Sequence, residues 1–192
     1  RQELDMQNGV LIRTVRFEDD EGRRTTCTQR RIVHMRYPHL AALETIVEAE
    51  NWSGTLHVLS AIDGRVQNTL VERYRKLNNQ HLEQRGAGTT DDGLIWLEAE
   101  TSQSHVRVTE AARTMLYLDD KPIDGEQRMI EEDGYIGREY AVDIGEGAAL
   151  RVEKTVALYH SRDFAISESR LQALDRLRHI GSFEHLLHWH VV

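Results

Sequence analysis

The run Asn51 to Asn68, NWSGTLHVLSAIDGRVQN, leaves its chain few ways to fold. On an extended backbone, Leu56, Val58, Ser60 and Ile62 fall on one side and Thr55, His57, Leu59 and Ala61 on the other. The first set is mostly apolar, which predicts one buried face and one wetted face. Asn51-Trp52-Ser53-Gly54 punctuates the front of this strand. Asp63-Gly64 punctuates the back, as a hairpin turn needing positive φ would, with Arg65 to Asn68 opening the next strand. This unit sets the fold class as β.

The same period recurs along the chain. Val10 to Phe17 alternates, and Glu18 to Gly22 is a polar turn ending in glycine. Thr25 to Met35 is the return strand of a hairpin, broken at Tyr37-Pro38-His39 because proline has no N–H for a ladder. Leu40 to Ala49 has helical propensity, but Ile46, Val47 and the turn at Asn51 favour a strand from Leu43 onward, in another hairpin. Between Asn68 and Gln84, Leu70, Tyr74, Leu77 and Leu82 could line an irregular excursion. Arg85 to Gly93 reads as a flexible loop. Leu94 to Thr101, His105 to Ala112, Met115 to Leu118, Met129 to Glu131, Tyr135 to Asp143 and Leu150 to Tyr159 read as strands.

The period then changes. Ser167-Glu168-Ser169 precedes Leu171, Leu174, Leu177 and Arg178, spaced three and four apart, which predicts a capped amphipathic helix. Ser182 to His190 looks like the first turns of another. Many short strands followed by helix imply an antiparallel β-sandwich leading into a helical region. The length of 192 residues fits one domain able to bury a core. The division expected is a sandwich over 1–166 and a helix with the start of a linker over 167–192.

A net charge of −8 argues against nucleic acid or an anionic membrane as partner, since both call for a basic footprint. No apolar run approaches the roughly 18 residues of a membrane span. The single cysteine, Cys27, cannot form an internal disulfide and reads as a strand residue, which favours a reducing compartment. The opening Arg1-Gln2-Glu3 reads as a piece of a longer chain.

Chemistry-bearing constellations are few. His185, His188 and His190 in HLLHWH are the metal candidates. On a helix His190 points away from the other two, and on a strand His185 opposes them, so one regular element cannot converge all three. An amphipathic helix start or a tag-like chain end is the competing reading. His34, His39 and His57 read as hydrogen-bonded structural residues. No carboxylate stands in an apolar run that would raise its pKa. Glu153, between Val152 and Lys154, comes nearest and reads as a salt-bridged structural group. Gly86-Ala87-Gly88 and Gly145-Glu146-Gly147 lack the third glycine and the strand-to-helix setting of a nucleotide loop. Asn51-Trp52-Ser53 matches a glycosylation sequon that the turn already explains. Trp52, Trp96 and Trp189 could stack on sugars or pack in the core. Arg23-Arg24 and Arg30-Arg31 read as solvated strand ends, with phosphate binding as the alternative.

Five segments, in order, resemble the N-terminal β-sandwich domain of glycoside hydrolase family 65. They are RQELDMQNGVLIRTVRF at 1–17, RRIVHMRYPHLAAL at 30–43, ENWSGTLHVLSAIDGRVQN at 50–68, ALRVEKTVALYHSRD at 149–163 and GSFEHLLHWH at 181–190. That family holds the phosphorylases of maltose, trehalose, kojibiose and nigerose. The resemblance implies a supersandwich that begins here after its first strands and hands over, past its last helix, to a helical linker. An (α/α)6-barrel elsewhere in the same chain would carry the catalytic acid and the phosphate site. It therefore assigns no catalytic, cofactor-binding or metal-ligating residue to these 192 positions. The parent would be a cytoplasmic homodimer that attacks an α-linked glucose disaccharide with inorganic phosphate as co-substrate, or with water.

Three outcomes separate the readings. A sandwich fragment should show raw sheet edges and an orphan apolar face. A free-standing carbohydrate-binding module needs two or more exposed aromatics on one sheet face, Trp52 or Trp96 among them. A purely structural domain should show a large apolar patch and no pocket.

Overall fold

The structure, a computed structural model, describes residues 1–68, 79–164 and 168–190. The strands in chain order are β1 (Gln2–Asp5), β2 (Val10–Glu18), β3 (Arg24–Val33), β4 (Leu40–Ala49), β5 (Gly54–Asp63) and β6 (Leu82–Thr89). They continue with β7 (Ile95–Thr101), β8 (Arg107–Leu118), β9 (Lys121–Ile123), β10 (Glu126–Glu132), β11 (Tyr135–Ile144) and β12 (Ala149–His160). Two helices, α1 (Ser169–Arg178) and α2 (Phe183–His190), complete the order.

Two antiparallel sheets face one another. The large one runs β1-β2-β3-β4-β12-β8-β7-β6, with β9 on β8, and the small one runs β10-β11-β5. Alternation along each strand makes three layers. One face of the large sheet meets the small sheet through Leu116, Leu150 and Val152 against Tyr140, Val142 and Ile144, and through Ile95, Leu97 and Ala112 against Ile62 and Ile136. Its other face carries Val10, Ile32, Ala42, Ala111, Ala157 and Tyr159 and is covered by Leu174, Leu177, Phe183 and Leu186 of the helices. The antiparallel sandwich read from the periodicity is the fold.

The 54–63 strand buries Ser60 and Ile62, half-buries Leu56 and Val58 and exposes Thr55, His57 and Leu59, as its alternation requires. Its surroundings differ from expectation. β4 and β5 do not form a hairpin, because Asn51 ties the connection to the β2–β3 turn. Its Oδ1 accepts the Arg24 N–H at 2.6 Å, its Nδ2 donates to the Gly22 carbonyl at 2.9 Å, and the Trp52 indole donates to the Arg24 carbonyl at 3.1 Å. So anchored, the chain crosses to the other sheet, where β5 pairs with β11. Gly64 is not a positive-φ turn residue either. It is glycine because a Cβ there would lie 2.9 Å from Leu97, while its N–H bonds the Gly134 carbonyl at 2.8 Å.

Other segments are corrected in the same way. Leu40 to Ala49 is strand throughout. Residues 107–118 form one strand, preceded by His105 in a left-handed turn at φ 51°. Gln2–Asp5 adds a strand paired with β2. Residues 85–89 are strand, not loop: Gly86 and Gly88 lie in β6, beneath the Trp96 ring, where a Cβ would come within 3.3 and 3.0 Å of it, and only the segment after Thr89 turns, with Gly93 at φ 83°. Of α1's expected apolar stripe, Leu174 and Leu177 are buried with Ala173, whereas Leu171 is exposed. The N-cap position is Glu168, which makes no side-chain capping bond. Leu70, Tyr74, Leu77 and Ser167 lie outside the described residues.

The small sheet overlies only part of the large one. β5 and β11 lie over β6, β7 and β8, while among the described residues the corresponding face of β1 to β4 is largely open. Leu4, Val15, Phe17 and Val33 are exposed there, beside half-buried Leu11, Leu43 and Val47. The outer edge of β5 has no strand partner among the described residues.

Candidate functional site

The most elaborate side-chain constellation lies on the helix-bearing face of the large sheet, where α1 turns into α2. Helix ends leave backbone carbonyls and N–H groups without intrahelical partners. Here the sheet supplies those partners. Arg113 of β8 donates to the carbonyls of Leu177 at 3.1 Å, Ile180 at 2.8 Å and Gly181 at 2.6 Å, closing the C-terminal end of α1. Burial pushes the Arg113 guanidinium below its ordinary pKa, while Tyr117 and Glu153 pull it back up. Glu153 of β12 accepts the Phe183 N–H at 3.0 Å, at the N-terminal end of α2, and pairs with Arg151 through its other oxygen. Each side chain has the sign that complements the helix end it meets.

Beside this turn, Glu44 of β4 lies directly across the ladder from Glu153. Arg30 of β3 binds Glu44 at 2.7 Å, reaches Glu184 of α2 and places its guanidinium 4.8 Å from the Phe183 ring centre. Burial works against the Arg30 charge, but its hydrogen bonds to Glu44 and Glu184 hold its pKa above the ordinary value.

The far end of α2 rests on histidines. His190 Nδ1 accepts the Met35 N–H at 3.0 Å, and its ring stands edge-on to His34, with 5.6 Å between ring centres. Its Nε2 packs where a Cβ on Gly9 would come within 2.6 Å, so residue 9 is glycine at φ 61°. His34 Nδ1 accepts the N–H groups of Arg36 and Tyr37 at 3.2 and 3.1 Å. Burial, then the neighbouring His190, draws the His34 pKa down.

The structure therefore separates HLLHWH: His190 turns inward, while His185 and His188 are exposed on α2. Among the described residues, no group of three His, Cys, Asp or Glu side chains is placed to hold a metal. His39 bonds the Leu158 carbonyl at 2.9 Å and stacks on Tyr159, and His57 lies on the surface near Glu139. Arg30 is not a solvated strand end but the centre of an ion-pair network. Trp52 packs between the sheets and Trp96 packs toward the helices, on opposite sides of the large sheet, so they form no shared platform.

Sequence reasoning missed Glu44, Glu110, Arg113 and Lys154. Glu44 alternates with Leu40 and Ala42, and that was a readable sign of an inward carboxylate. Glu110, opposite Leu97, overturns the expectation that no carboxylate has its pKa raised, for burial raises it. Burial likewise lowers the Lys154 ammonium, which donates to the Ala61 carbonyl at 2.5 Å. In the turn cluster, Glu44, Glu153 and Glu184 each bind an arginine. Such an arrangement positions helices.

Fold and cluster together define an antiparallel β-sandwich domain with a helical pair clamped to one face. The chain belongs to glycosyl hydrolase family 65, whose N-terminal domain model matches residues 1–192. It is 37% identical to an uncharacterized glycosyl hydrolase of Mycobacterium tuberculosis over 191 residues, covering 100% of this chain and 14% of that one. It is 29% identical to an alpha,alpha-trehalose phosphorylase of Thermoanaerobacter brockii, covering 89% and 22%, and 24% identical to a kojibiose phosphorylase of Halothermothrix orenii, covering 90% and 21%. The solved structure named "Putative kojibiose phosphorylase from human microbiome" shares the fold, with a TM-score of 0.83 at 13% identity over 99% of this chain and 23% of that one. The chain thus spans less than a quarter of the length of these relatives. Among the described residues, no helix is long and apolar enough to cross a membrane.

Proposed function

We propose that this chain is the non-catalytic N-terminal sandwich of a glycoside phosphorylase acting on α-linked glucose disaccharides. The observation that carries the reading is the family match over all 192 residues, joined to relatives named as trehalose and kojibiose phosphorylases. The catalytic acid and the phosphate site would lie in an (α/α)6-barrel beyond these residues. No residue of this chain is assigned to catalysis, and its part is to pack against that barrel and to contribute to a homodimer. A cytoplasmic setting accords with the free thiol of Cys27.

The sandwich itself is completed by chain other than the described strands. Strands stack about 4.8 Å apart, so the eight-stranded path of the large sheet is roughly 34 Å wide and the three-stranded sheet about 10 Å. The open face over β1 to β4 has room for about four further strands on that spacing. The exposed Leu4, Phe17 and Val33 support their addition there.

The test is a phosphate-consumption assay on the full-length parent, with a panel of α-linked glucose disaccharides and this chain in parallel. Phosphate-dependent release of glucose 1-phosphate by the parent, with this chain inert, is expected. Turnover by this chain alone would overturn the reading.

A further inference from the structure

α1 and α2 are joined by residues 179–182, a short turn. Apolar packing of Leu174, Leu177, Phe183 and Leu186 holds both helices to the sheet. Packing of that kind is non-directional and leaves the angle between them free. The polar contacts are directional. Three carbonyls, from Leu177 in the last turn of α1 and from Ile180 and Gly181 in the connection, converge on one guanidinium, and the first amide of α2 points at one carboxylate. Arg113 lies opposite Thr155, and Glu153 lies opposite Met115, so the two are diagonal neighbours on adjacent strands of one face.

We propose that Arg113 and Glu153 are positioning residues that lock the α1–α2 elbow, so that the sheet sets the direction in which α2 points. The planar guanidinium presents its donors in a fixed fork, and three carbonyls can meet it in only one orientation of the turn. The carboxylate is rigid in its turn, because it is 3% exposed and its second oxygen is held by Arg151. Removing either group leaves buried backbone atoms that find partners only by moving toward water. The elbow then opens as a unit while the ladder beneath it stays paired. If the chain is the N-terminal domain of a phosphorylase, the segment beyond α2 inherits its bearing from this lock. The lock itself does not depend on that reading.

Amide hydrogen exchange on the intact protein tests it. In Arg113→Met and in Glu153→Met, amides of residues 169–190 should exchange at least about 10-fold faster, with β4, β8 and β12 amides keeping their rates. Arg113→Lys should fall between, since one ammonium cannot reproduce the fork. Wild-type exchange over 169–190 in both variants would overturn the proposal. So would an equal rise in the strands, which would make the two residues supports of the sheet as a whole. If Arg113→Met does not fold, Glu153→Met, which keeps the side chain's length and removes the acceptor, carries the test. Activity is not the readout, so a negative disaccharide assay leaves this result standing.

Discussion

Glu44 and Glu153 face each other across the β4–β12 ladder, 2% and 3% exposed, with an arginine bound to each. Two carboxylates directly opposite would repel. Arg30 and Arg151 offset that repulsion, and the Phe183 N–H satisfies a further lone pair.

Stability should therefore depend on Arg30 through what its removal leaves behind. Arg30→Met strands the buried Glu44 carboxylate next to Glu153 and is expected to cost about 3 kcal/mol, as breaking buried ion pairs does. Arg30→Met combined with Glu44→Leu should recover most of it, because an apolar pair of similar volume is close to neutral. Urea unfolding of the single and double variants reads both values. A double variant as unstable as the single one would contradict the account.

His34 predicts an acid-sensitive contact beneath α2. Its folded pKa lies below the unfolded value of about 6.5, so the unfolded chain takes up the proton more readily. The contribution is fully present above about pH 6.5 and is lost as pH falls from there toward the folded pKa. Protonation at Nδ1 would also set a new donor against the Arg36 and Tyr37 N–H groups. Unfolding curves between pH 5 and 7.5 should flatten for His34→Asn relative to the parent; parallel curves would show that the imidazole is not the source.

The glycines of β6 should be unequal to glycine elsewhere. Gly88→Ala forces the Trp96 indole to shift, since three of its atoms lie within 3.2 Å of the new Cβ, and should cost about 1–3 kcal/mol. Gly145→Ala meets nothing within 4 Å and should be neutral or stabilising by up to about 1 kcal/mol. Near-UV circular dichroism should change with the first substitution and not the second.

Lys154 should guard an edge more than it stabilises a core. The Gly64 N–H bonds β11, so by antiparallel alternation the odd-numbered groups of β5, the Ala61 carbonyl among them, point toward the open edge. Lys154 occupies that carbonyl, and inward charge of this kind discourages strand addition. Lys154→Met leaves buried Glu110 without its countercharge, so it is paired with Glu110→Gln, and the double variant should change stability by no more than about 1 kcal/mol. Its self-association, measured by sedimentation velocity, should increase. A variant that unfolds but stays monomeric would reverse the assignment.

Much of the sheet was legible along the chain. Alternation at Leu56 to Ile62 reports which side of that strand is buried, and burial is the term that decides strand formation. The break at Tyr37-Pro38 was legible too, because proline acts on its own backbone. The elbow site was not. Arg113 and Glu153 stand 40 positions apart, and each looks in sequence like one more charge in an acidic chain.

By itself, then, the sequence determined a β chain ending in helices, since periodicity and turn chemistry are local. Only the tertiary structure decided that β4 and β5 lie in different sheets, that Gly86 and Gly88 make room for Trp96, and that His190 packs against His34 and Gly9. It alone brought Arg113 and Glu153 to opposite sides of one turn. The physical reason is common to all four. Each depends on which segments become neighbours, and pairing between distant strands is set by how the whole molecule buries its apolar faces, a property that no stretch of residues carries alone.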